Sequence, residues 1–125
     1  MSDLSNIQPK NREFEVVNPA TDEPTGLVFT LRPDSDEAVK KFERNWTNQQ
    51  LRKRGAQKLT AEGIEFRNKG RIVAAVAGWE WRGDANWHGD KPGFSEEKLR
   101  EVLKVAWIYK QLDEELANDA AFFQD

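Results

Sequence analysis

A chain of 125 residues, 38% apolar and 33% charged, has material for one compact domain with a thin hydrophobic core. With no cysteine and a single histidine, it excludes disulfides and thiolate-bound zinc and leaves little for nucleophilic, acid–base or metal chemistry. The formal net charge of -3 and the absence of any apolar run near the ~20 residues of a membrane span point away from membranes and towards a cytoplasmic protein.

Residues 1–11 are polar, contain Pro9 and show no periodicity, so they read as a flexible tail; they also lack the basic and apolar regions of a signal peptide. Residues 12–125 form the single domain, with residues 12–32 as a β-hairpin and 34–123 as its helical part. In the hairpin, Phe14 and Val16 alternate with Glu13 and Glu15, and Leu27, Phe29 and Leu31 alternate with Val28 and Thr30. Between them, residues 18–26 are dense in turn formers and long for a tight turn. An isolated hairpin is marginal in water, so this one must lie on helices or join another copy's sheet.

Pro33 ends the second strand, and Asp34 with Glu37 forms a capping box for a helix starting near Ser35. Val39, Phe42 and Trp46 make its apolar stripe, and it fades around Arg54 and Gly55. A second helix is expected from Thr60 to Gly78, with Gly78 as its stop. Phe66, Val73 and Ala77 lie on one side of it; Gly63 and Gly70 mark a kink or a close helix contact. After a glycine- and aspartate-rich loop over 82–93, Ser95 caps a third helix whose buried face is Leu99, Val102, Leu103 and Ala106. Ile108, Leu112 and Leu116 continue the stripe after a change of phase, which predicts a bend near Ala106 and Trp107. Phe122 and Phe123 form a docked apolar clasp. The fold class is therefore α+β, mainly α: an N-terminal β-hairpin followed by three or four helices.

Of the five tryptophans, Trp79, Trp81 and Trp87 fall within nine positions around glycines. Trp79 is expected to anchor the loop, while Trp81 and Trp87 are candidate interface anchors, since tryptophan is enriched at binding hot spots. The run from Asp84 to Asp90 half-matches a calcium loop, but His88, Pro92 and Ser95 stand where oxygen ligands belong, so it reads as a polar turn. His88 with Asp84 and Asp90 lacks a second histidine for a metal site. No cofactor is expected, and no pair of titratable groups is spaced for catalysis, so the chain is read as a non-enzyme. Charge is distributed in blocks: residues 1–39 carry eight acids against three bases, 40–71 ten bases against three acids, and 84–125 ten acids against five bases. Such blocks pair internally or between copies, and Arg52, Lys53 and Arg54 are the candidates for charge pairing or self-association. Acidic flanks disfavour nucleic acid, although a small DNA-binding regulator using residues 44–71 is an alternative.

The order of these features resembles the small tail assembly chaperones of long-tailed phages and prophages. The resemblance is carried by Asn18-Pro19-Ala20-Thr21 leading through Thr25-Gly26-Leu27 into a strand, and by the helix start at Asp34-Ser35-Asp36. It is carried further by Ala77-Gly78-Trp79 with Phe94-Ser95-Glu96-Glu97, and by the Trp107-Ile108-Tyr109-Lys110-Gln111-Leu112 helix with terminal Phe122-Phe123. It covers roughly residues 14–123; the loop from 82 to 93 departs in being tryptophan-rich, and no proline precedes Trp107. It implies a non-enzymatic protein of the infected host's cytoplasm, an oligomer that binds the tape measure protein, keeps it soluble and helps recruit tail tube protein. A structural minor tail or connector protein is the alternative. Trp79, Trp81, Trp87, Phe94, Trp107 and Phe123 are the candidate partner-binding residues, in a groove between the Trp79–Phe94 region and the amphipathic face of 107–123.

Overall fold

Alternation of apolar and charged residues gives each early strand one face for burial and one for water. The computed structural model describes residues 3–52, 60–118 and 122–123. In it, β1 (Arg12–Val17) and β2 (Pro24–Leu31) form the expected antiparallel hairpin. A third strand, β3 (Val76–Trp81), adds to the far side of β2, so the sheet order is β1-β2-β3. The register aligns Phe14 with Phe29 and Phe29 with Trp79, which lays one aromatic row across all three strands.

Four helices complete the α+β fold: α1 (Glu37–Arg52), α2 (Ala61–Ala75), α3 (Glu96–Val102) and α4 (Ala106–Leu116). Val16, Phe29 and Leu31 from the sheet meet Val39, Ile72, Leu99, Leu103 and Leu112 from the helical side in one buried cluster. The opposite sheet face carries Glu13, Glu80 and Arg82, with the Arg82 guanidinium bridging both carboxylates. Val28 is buried on that polar face, outside the main cluster, between its strand partners Glu15 and Glu80.

The second helix does not run to Gly78. It stops at Ala75, and the chain passes straight into β3, so Gly78 and Trp79 are strand residues and Ala77 is not on a helical face. The free edge of β2 accounts for the switch: Arg32 N–H donates to the Ala75 carbonyl at 2.6 Å, Leu31 pairs with Val76, and the helical ladder gives way to a strand ladder. Phe66 is exposed, and Ala106 lies exposed at the start of α4 instead of on the buried face of α3. The first helix begins at Glu37. Asp34 is no cap there but pairs with Arg71 at 2.9 Å, while the Asp36 carboxylate accepts the Ala38 N–H.

Gly70 marks a close helix contact: a Cβ there would stand 2.6 Å from Phe42 Cε1 of α1. Gly63 lies in the first turn of α2, where its N–H is capped by the Thr60 hydroxyl. The phase change after α3 is a real break at 103–105, with Ile108, Leu112 and Leu116 buried beyond it. At the C-terminus Phe122 is buried and accepts the Lys10 N–H through its carbonyl, whereas Phe123 is exposed. One side chain occupies the last peptide groups on the outer edge of the hairpin. The Gln111 amide of α4 accepts the Val17 N–H and donates to the Val17 carbonyl, both at 2.9 Å, taking the place of a neighbouring strand's peptide group.

Candidate functional site

Strand β3 sets the site. Residues two apart on a strand share a face, so Trp79 and Trp81 both turn to the core side, their rings 5.4 Å apart and edge-to-face. Trp79 packs edge-on against Phe29 and Phe94, and its indole N–H donates to the Pro92 carbonyl at 2.9 Å. It anchors the 82–93 loop, as expected, and Phe94 covers it.

The chain leaving β3 then folds back over the start of β2. Arg82 N–H donates to the Gly26 carbonyl at 2.7 Å; Gly26 has φ +94, and a Cβ on it would come within 2.3 Å of the Arg82 carbonyl oxygen. Only glycine combines that conformation with so close an approach. Ala85 and Trp87 are thereby returned towards Trp81. A tight turn through His88 (φ 53) and Gly89 (φ 83) closes with paired Trp87–Asp90 backbone bonds, and the Asn86 carboxamide accepts the Gly89 N–H. The Trp87 indole N–H reaches Glu101 of α3 at 3.4 Å. That contact and Lys98 hold the Glu101 carboxyl below its ordinary pKa, the indole bond being the larger cause.

Trp107, on the first turn of α4, completes the wall. Trp81, Trp87 and Trp107 converge on a groove of about 370 Å³ with Val16, Leu27, Val105 and Ile108 as its other apolar surfaces and Thr25 and Asn86 as polar ones. On its other side Trp107 borders a wider depression of about 600 Å³ beside Phe14, Lys110 and Glu114. The indole nitrogen of Trp81 is buried with no hydrogen-bond partner among the described residues. Chemically this is a surface for apolar contact, with little to polarise or transfer.

Of the residues singled out in the sequence, three indoles line the groove, and Trp79 and Phe94 form its supporting stack. Phe123 is not part of it. It borders a separate depression with Pro9, Pro33 and Phe122, because burial of Phe122 carries the terminal turn to that side of the fold. Trp46 stays on α1, away from the groove. The floor residues Val16, Leu27 and Ile108 were legible only as core. Arg52 lies exposed in the last turn of α1, and Lys53 and Arg54 lie outside the described residues. The charge blocks do meet internally, Arg71 pairing with Asp34 and Arg12 with Glu115, whereas the Arg67–Glu43 pair lies within the basic block.

Among the described residues no three His, Asp or Glu side chains gather as metal ligands, His88 included, and no helix is long and apolar enough to cross a membrane. Comparison of the chain with protein-family models, curated proteins and solved structures finds no match.

Proposed function

We propose that this chain is a non-enzymatic binding protein whose indole-lined groove shelters an apolar helix of another polypeptide, and that it does so as a phage tail assembly chaperone acting on a tape measure protein. The observation that carries the binding reading is the convergence of Trp81, Trp87 and Trp107, none fully buried, on one groove. Half-buried indoles around a concave apolar surface suit helix-in-groove recognition, where the partner's apolar stripe replaces water. The adjoining depression beyond Trp107, lined largely by polar side chains such as Lys110, Gln111 and Glu114, lengthens the concavity, which suits an amphipathic helix better than a compact ligand.

The narrower, phage reading rests on the resemblance. Its supports in the fold are the strand that contains Thr25-Gly26, the Ser95-capped helix after Phe94, and the helix bearing Trp107 and Gln111. Its Gly78-Trp79 element takes a different form, being in a strand. Co-expression with a tape measure protein tests the reading. The chain should move the long helical protein from the pellet to the soluble fraction, and Trp107→Glu, which puts a carboxylate in the groove, should abolish that effect. Equal solubility with the variant, or none with either chain, contradicts the proposal.

A further inference from the structure

The two outer edges of the sheet are treated differently. On β1, the outward-facing peptide groups of Val17 are occupied by the Gln111 amide and the Arg12–Glu115 ion pair ties α4 across that edge, while those of Glu13 and Glu15 carry no bond among the described residues. On β3 the direction of the backbone groups follows from the register. Leu27 faces Trp81 while Arg82 N–H bonds the Gly26 carbonyl, which makes Leu27/Trp81 a non-hydrogen-bonded pair; by alternation Phe29/Trp79 is one too. The N–H and C=O of Trp79 and Trp81 therefore point away from β2. Among the described residues no backbone or side-chain group bonds to them. An unpaired strand edge of this kind is a template for another strand.

We propose that this edge pairs with the same edge of a second copy, joining two three-stranded sheets into one of six strands. A two-fold axis between the two Glu80 residues sets Trp79 opposite the partner's Trp81, so all four outward groups of each chain find their counterparts. The side chains agree with this register. On the solvent face the two Glu80 carboxylates stand directly opposite each other, and each Arg82 guanidinium, already 2.7 Å from its own Glu80, lies diagonal to the other copy's carboxylate and offsets that like-charge contact. The surface is self-complementary, as a two-fold interface requires.

Sedimentation of the full chain over a concentration series should give twice the 14.4 kDa of one chain. Glu80→Lys, which lines up four cations, should return it to the monomer with unchanged circular dichroism. Because the chain has no cysteine, single-thiol variants give a second reading. Glu80→Cys would face its own copy across a non-hydrogen-bonded pair at ~4.5 Å between Cα atoms, within disulfide range. Oxidation should then produce a covalent dimer, while Glu13→Cys on the β1 edge stays single. A chain monomeric at every concentration, or cross-linking at Glu13→Cys as fast as at Glu80→Cys, overturns the proposal.

Discussion

Gln111 offers the sharpest check on how the sheet is finished. Its amide makes two 2.9 Å bonds to Val17, one accepted and one donated, at a half-buried position. Gln111→Ala leaves both peptide groups without that partner. At 0.5–1.5 kcal/mol per net hydrogen bond, the expected loss is about 2 kcal/mol. For a domain of this size that lowers the melting temperature by roughly 8 °C. Gln111→Glu separates hydrogen bonding from packing. A carboxylate still accepts from the Val17 N–H but sets a bare oxygen against the Val17 carbonyl, so near neutral pH the variant should be as unstable as the alanine. The facing carbonyl raises the folded-state pKa of that new carboxyl, so its protonated form is favoured on folding and donates like the amide. Its deficit against the native chain should therefore shrink as pH falls through the raised pKa. Chemical denaturation of both variants across pH reads this directly. An alanine cost under about 0.5 kcal/mol, where neutral surface changes fall, would refute the reasoning, as would a glutamate deficit independent of pH.

Other perturbations probe the groove. Gly26→Ala must hold a side chain at φ +94 and push back the Arg82 carbonyl, 2.3 Å from the new Cβ. The left-handed conformation alone costs about 1–2 kcal/mol, and Trp81 emission should shift to the red as the 82–85 wall moves outward; an unchanged spectrum and stability speak against the wall. Glu101 has its pKa lowered by Trp87 and Lys98, so its contribution is complete above the usual glutamate range and lost as pH falls through the depressed value. Acid titration should loosen Trp87 only below the ordinary glutamate range, and Glu101→Gln should remove that transition; a step near neutral pH would count against the contact.

The hairpin was legible because period-two alternation at Phe14/Val16 and Leu27/Phe29/Leu31 matched what the folded sheet buries. The Ser95 cap and the break before α4 were equally plain. The third strand was missed for a physical reason. Residues 71–77 carry no helix breaker, Gly78 looks like a stop, and only tertiary capture by the edge of β2 decides for a strand. A signal was present: Trp79-Glu80-Trp81-Arg82 alternates apolar and charged residues with the strand period. The groove was half legible. Indoles announced themselves by type, but which of them share a surface depends on the packing of residues 82–85 over Gly26 and the register of β3, and neither is a local property. Phe123 shows the converse, since its neighbour Phe122 is the buried member of the pair.

The groove's role can be read from the chain's own indole N–H signals. Five tryptophans give five such resonances in a nitrogen–proton correlation spectrum, each assignable by single substitution. Titration with an amphipathic helical peptide bearing a leucine-rich stripe should move Trp81, Trp87 and Trp107 together, with saturation, and leave Trp46 of α1 in place. Movement of Trp46 alone, or no movement at millimolar peptide, would contradict an indole-lined surface that receives another chain's apolar helix.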